Sequence, residues 1–177
     1  MTNPEELKLF EEKGAEFKIK ATGEEITLDW LKKIVSIYQE RLKKLSEISQ
    51  LTDFFFKDKL EYEKDLLRWP PAREGLRPGG REMTDKEIKI VLDKLEKILS
   101  KIEAGDFDKE NLERRLLPEA EEFAKKLGKA GDRGYLLWPL RVALTGKEAS
   151  AGPFEIAEIL GKEKTLKRIK EALDKIS

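Results

Sequence analysis

Apolar residues recur along most of this chain at spacings of three and four, the repeat that lines one face of an α-helix. From Thr27, whose hydroxyl can cap a helix, the series Leu28, Leu31, Val35, Tyr38, Leu42, Leu45 and Ile48 predicts one long helix with a single core-facing stripe. Thr84-Asp85-Lys86-Glu87 has the form of a capping box, and Ile88, Val91, Leu95, Ile98 and Ile102 continue the period until Gly105 stops it. Asp108 to Leu127 predicts another long helix, bent at Pro118 and closed at Gly128. A last helix is expected from Glu163 to Ile176. Its basic residues, Lys162, Lys164, Lys167, Arg168, Lys170 and Lys175, are expected on a solvated face. At the other end, residues 2–13 read as a short acidic helix and Glu16–Gly23 as a partly extended connection.

The least polar stretch runs from Leu136 to Leu160 and is built as helix, tight loop, helix. Leu136, Leu137, Leu140, Val142, Ala143 and Leu144 form the first helix, which ends at Gly146, a residue at ease in the left-handed conformation that closes helices. Pro153 has the φ of a first helical position, and the second helix runs to Gly161. An exposed loop carrying Lys147 and Ser150 is expected between them, backed by unsatisfied N–H groups at the start of the second helix.

The pattern predicts an all-α fold of two small helical-bundle subdomains. The prolines, glycines and arginines after Asp65 (Pro70, Pro71, Pro78, Gly75, Gly79, Gly80, Arg68, Arg73, Arg77, Arg81) break any helix there. The expected boundaries are 1–67 for the first subdomain, 68–82 for a linker, and 83–177 for the second. Phe54-Phe55-Phe56 reads as core packing where a helix ends, and Trp138 and Phe154 also read as core.

Lys plus Arg (36) balance Asp plus Glu (36), so any nucleic-acid site has to be a local patch and not a global field. Without histidine or cysteine there is no imidazole base, no thiol and no usual zinc ligand set. No run approaches the ~20 apolar residues of a membrane span, and no phosphate-cradling glycine loop of the nucleotide-binding kind occurs. The composition therefore points to a binding module in the cytoplasm without chemistry of its own, and a monomer is expected.

Three strings carry a family resemblance: P-L-R-V-A-L-T-G (Pro139–Gly146), G-P-F-E-I (Gly152–Ile156) and L-G-K-E-K-T-L-K-R-I (Leu160–Ile169). Their order and spacing resemble the C-terminal end of bacterial glutamyl-tRNA synthetases. E-R-L-K-K-L-S-E (Glu40–Glu47) ahead of the phenylalanine triplet is similar to the same family's R-x-K-T-L-x-E motif, with Lys44 in the place of its threonine. The H-I-G-H and K-M-S-K-S signatures of the catalytic domain have no counterpart in these residues. ATP and magnesium belong to that domain, so no cofactor is expected here.

The resemblance implies an α-helical anticodon-binding region that grips the anticodon loop of glutamate tRNA. It implies that Arg41 contacts the third anticodon base, that Arg141 lies near the anticodon, and that the loop and helix start Ser150, Ala151, Gly152, Pro153 and Phe154, with Lys147 beside them, read the first base. Arg41 would then argue against a protein serving both glutamate and glutamine tRNAs. On the residues alone, Arg41 could pair with a neighbouring carboxylate, and Arg141 could form a buried ion pair. The competing reading is a helical protein-interaction scaffold that no longer binds RNA, which salt dependence would separate from the first.

Overall fold

The computed structural model describes residues 10–13, 16–19, 23–69 and 82–176. The chain divides into two compact units, Met1–Leu60 and Glu61–Ser177.

The first unit opens with three short strands, β1 (Phe10–Lys13), β2 (Glu16–Ile19) and β3 (Glu25–Thr27), in an antiparallel sheet of order β1-β2-β3. Phe10 lies opposite Ile19, and Phe17 opposite Ile26. The expected helix over 2–13 is thus replaced by strand over Phe10–Lys13, and residues 1–9 lie outside the described residues. Alternation explains the strands: Ile19 and Ile26 are buried while Lys18, Glu25 and Thr27 are exposed, a period of two that helix propensity does not override.

α1 (Leu28–Tyr38) starts as expected, with Thr27 Oγ1 accepting from Trp30 N–H at 3.2 Å. It ends a full ten residues before the expected Ile48. The chain then turns, with Leu42 N–H donating to Tyr38 O (3.1 Å), passes through a 3-10 turn at Leu45–Glu47, and re-enters helix as α2 (Ile48–Thr52). The stripe is also rotated: Ile34 and Tyr38 are buried, while Leu28 and Val35 stand 50% and 45% exposed. The aromatic cluster accounts for both departures. Trp30 packs edge-on against Phe55 (6.0 Å) and Phe56 (5.7 Å), and all three phenylalanines are buried, as expected. Burying such a ring is worth about 1.5–3 kcal/mol, whereas continuing a helix through an average residue gains tenths. The chain turns to bring the rings in.

The second unit begins with a 3-10 turn at Lys64–Leu67 and contains α3 (Asp85–Ser100), α4 (Lys109–Lys126), α5 (Gly134–Thr145) and α6 (Pro153–Ile176). α3 starts at its expected capping box, and α4 starts next to the expected Asp108, which proves to be its N-cap. Thr84 and Glu87 exchange bonds in a complete capping box, and Asp108 accepts from Asn111 N–H at 2.9 Å. α4 runs unbroken through Pro118. α5 is apolar nearly all round, and it lies in the centre against α3, α4 and α6. α6 is interrupted at Gly161, where a positive φ of 76° breaks the helix where the sequence placed its end.

The boundary between units falls after Leu60, ahead of the expected 67, because residues 61–69 are fastened into the second unit. Trp138 Nε1 donates to Leu66 O (2.8 Å), and Lys175 Nζ lies 4.8 Å from the centre of the Tyr62 ring. Burial pushes the Tyr62 hydroxyl well above its ordinary range, with Glu171 adding to the rise and Arg168 opposing it. Of the expected linker 68–82, residues 70–81 lie outside the described residues, while both flanks belong to the second unit. Met83 N–H donates to Trp69 O (3.0 Å), and Arg68 Nη1 donates to Met83 O (2.7 Å), so both ends of the segment meet. Arg73, Arg77 and Arg81 lie outside the described residues. Arg68 is engaged by Asp65 and Asp85, while Lys64 also reaches Asp85 (3.0 Å).

Trp69 closes this neck. Its indole donates to Asp132 (3.1 Å) and lies 5.2 Å from the Trp138 ring. The first residue of α5 must be glycine to admit it, since a Cβ on Gly134 would sit 2.1 Å from the indole.

Candidate nucleic-acid interface

The α5–loop–α6 corner is built by interior residues. α5 ends because Gly146 adopts φ 66°, and its N–H bonds Val142 O at 2.7 Å. Thr145, itself buried, donates its hydroxyl to Arg141 O (2.8 Å) and accepts from Lys147 N–H (3.0 Å), fixing the first step of the loop. Arg141 then reaches across: its Nη1 donates to Ser150 O at 3.1 Å. From the far side, Gly152 N–H donates to Glu155 Oε2 at 3.0 Å. The loop is tethered at both ends.

This arrangement changes the expected donor corner. Ala151, Pro153 and Phe154 are buried, so their side chains shape the turn and do not project from it. Pro153 has no N–H, and that of Gly152 is already bound to Glu155. Glu148 and Ala149 are exposed, while Lys147, Ser150 and Arg141 are half-buried. Arg141 is therefore a brace for the loop, with its guanidinium donating to the Ser150 carbonyl. Phe154 is an interior residue, as expected, whereas Trp138 is half-buried with its indole N–H bonded to Leu66 O.

Arg168 departs furthest from its expected place. It is 1% exposed, and its guanidinium donates to Leu144 O in the last turn of α5. A cation there meets the negative end of the α5 dipole. The basic run of the last helix is thus a solvated face with one member turned inward to hold the end of α5.

Arg41 lies in the first unit, in the turn after α1, where its N–H donates to Tyr38 O (2.8 Å). It is exposed, and among the described residues its guanidinium makes no hydrogen bond or ion pair. The carboxylate pairing left open by the sequence is not formed among them.

Two residues of the corner escaped the sequence reading. Glu155 bonds Gly152 with one carboxylate oxygen and Lys109 Nζ (2.9 Å) with the other. Its position, three residues into the reach of Gly152, is the half of a capping box that does not need a serine or threonine, so that signal was present. Lys109 starts α4 and has no sequence signal linking it to the loop.

The second unit presents a braced interhelical loop, and the first carries an exposed arginine. The chain matches the family model described as "Anticodon binding domain" over residues 8–173, and it belongs to that family. It is 30% identical over 153 residues to glutamate–tRNA ligase 2 of Thermoanaerobacter pseudethanolicus, which covers 86% of this chain and 28% of the relative. It is 36% identical over 155 residues to a glutamate–tRNA ligase of Clostridium tetani, covering 85% of this chain and again 28% of the relative. The chain thus spans little more than a quarter of these relatives. Among solved structures, a glutamate tRNA ligase from Elizabethkingia meningosepticum, in complex with its amino acid, shares the fold with a TM-score of 0.63 at 21% identity, over 86% of this chain and 26% of that one.

No helix among the described residues is long and apolar enough to cross a membrane.

Proposed function

We propose that this chain binds the anticodon loop of glutamate tRNA, as the anticodon-reading part of a glutamate–tRNA ligase, and that it does so as a monomer. The observation that carries the reading is the family match over residues 8–173. The relatives named glutamate–tRNA ligase support the choice of tRNA. Among the described residues only Leu28, Val35 and Ile90 are large apolar side chains left exposed, which supports the monomer.

Proteins that read RNA sequence take unstacked loop bases and bond their Watson–Crick edges. An exposed guanidinium such as Arg41 is a fork that only donates. Cytosine at the third anticodon position offers it O2 and N3 as acceptors, whereas guanine there, as in glutamine tRNA, presents N–H donors. The wrong base costs about 1–3 kcal/mol, on the scale of duplex base readout. The braced loop from Lys147 to Phe154 reads the first base in the same way.

The test is a polarisation titration of the chain with glutamate tRNA and with a transcript altered at the third anticodon position. Arg41→Gln is expected to weaken glutamate tRNA about tenfold and to erase the difference between the two, ~1.4 kcal/mol per tenfold. Equal binding of both tRNAs by wild type and Arg41→Gln refutes the assignment. Affinity for tRNA that is absent, or indifferent to salt, would leave the protein-scaffold reading in its place.

A further inference from the structure

The corner loop is held from α5 by Arg141 and from α6 by Glu155, but the second tether extends further than its own helix. Glu155 lies three residues after Gly152 and accepts its N–H at 3.0 Å through Oε2. Its Oε1 accepts from Lys109 Nζ at 2.9 Å, and the neighbouring Glu158 Oε2 accepts from Lys109 N–H, also at 2.9 Å. The start of α4 is thereby clasped to the start of α6 by two carboxylates one helical turn apart. The carboxylate is also packed tightly on the loop: a Cβ at position 152 would sit 3.0 Å from Glu155 Oε2. Glu155 is 26% exposed and Lys109 46%.

A glutamate side chain has three rotatable bonds. Alone, at this exposure, it would sample orientations that release Gly152. With one oxygen held by Lys109, the other is confined to the direction of the Gly152 N–H. From this geometry we infer that Glu155 is a positioning residue for the Ser150–Phe154 corner and that Lys109, on α4, is the group that keeps it aimed. Neither needs to touch the ligand. They hold the backbone of the corner where a base edge meets it, and so they set how well the corner tells one base from another. The inference rests on the anticodon reading proposed above. It adds that part of the discrimination is set from a helix remote from the loop.

Two readouts on the full chain separate the latch from that reading. The first is amide exchange at Gly152, followed by NMR without RNA. Glu155→Ala and Lys109→Met are expected to accelerate it at least tenfold, as is Glu155→Gln, whose amide has one acceptor oxygen and cannot serve both donors, while Lys109→Arg, which keeps the donor, stays within threefold of wild type. Unchanged exchange in Glu155→Ala and Lys109→Met overturns the latch. The second is the ratio of affinities for glutamate tRNA and a transcript altered at the first anticodon base. Glu155→Ala is expected to reduce that ratio at least fivefold and Lys109→Met about threefold, with Lys109→Arg restoring it. Parallel weakening of both tRNAs, with the ratio intact, would make the pair a stabilising contact only and overturn the positioning role. A wild-type chain that gives no ratio at all refutes the anticodon reading and with it the positioning role, while the exchange data still decide whether the latch exists.

Discussion

Adding one methyl group at Gly134 probes the packing that joins the neck of the 70–81 segment to the central helix. Gly134 is the first residue of α5 and needs no unusual backbone angle, so alanine there should be welcome on propensity alone, by up to about 1 kcal/mol. The surroundings reverse the sign. A Cβ would lie 2.1 Å from Trp69 Cε2, 2.4 Å from Cζ2 and 2.5 Å from Nε1. Carbon atoms rest about 3.5–4.0 Å apart, so the indole has to retreat by roughly 1.5 Å. It cannot do so freely. Its Nε1 bonds Asp132, its face lies against Trp138, and its carbonyl holds Met83. Overpacking of this kind costs about 1–3 kcal/mol, and the strained indole bond adds about 0.5–1.5. Against the propensity gain, the net loss for Gly134→Ala is about 2 kcal/mol, which lowers the melting temperature of the second unit by roughly 4–8 °C. Thermal melts followed by far-ultraviolet circular dichroism measure it, and tryptophan emission should shift to the red. In a Trp69→Leu background the same substitution should become neutral or stabilising, a coupling of about 2 kcal/mol. A Gly134→Ala protein that melts at or above wild type refutes the reasoning.

Thr84→Ala removes one half of the capping box at α3 and should cost about 1 kcal/mol, read as a fall of roughly 2–4 °C in the same melts, with tRNA affinity unchanged. Acid dependence should report Asp85, whose carboxyl is held below its ordinary 3.8 by hydrogen bonds from Lys64 and Arg68. A folded value below the unfolded one means that the stabilisation is present above pH 3.8 and is lost as pH falls through the folded value. Melts taken between about pH 6 and pH 2.5 should therefore fall less steeply in Asp85→Asn, and identical slopes would remove Asp85 from the account.

What could be read in advance depended on how local the deciding physics was. The Thr84 box, the Asp108 cap, the end of α5 at Gly146 and the break at Gly161 are settled within a few residues, and the sequence shows all four. The buried face of α1 was misplaced because periodicity treats Leu28 and Val35 as equal to Trp30, whereas the phenylalanine triplet at 54–56 selects the face that carries the indole. The segment after Arg68 looked like a linker because its composition breaks helices. That Trp69 and Met83, on either side of it, bond each other cannot be read from composition. The corner was located correctly by its glycines and proline, yet its donors were overcounted, since the Gly152 N–H is consumed by Glu155. Arg168 was read as solvated because charge patterning cannot see that the carbonyl of Leu144 needs a donor inside the protein.

The balance of 36 basic and 36 acidic residues takes on meaning once their partners are known. Arg68 and Lys64 are spent on Asp85, Lys109 on Glu155, Arg133 on Glu121 and Lys170 on Glu96. Exposed pairs like these add at most about 1 kcal/mol each to stability, but they cancel fields that would otherwise attract any polyanion. Where basic residues are neutralised in place, their sequence-independent hold on a phosphate backbone is reduced. For the proposed RNA contact, selectivity then depends on a few groups: the exposed guanidinium of Arg41, and a loop braced by Arg141 on one side and by Glu155 on the other. Accuracy of placement, set by buried helices, takes the role that charge density plays in basic RNA-binding proteins.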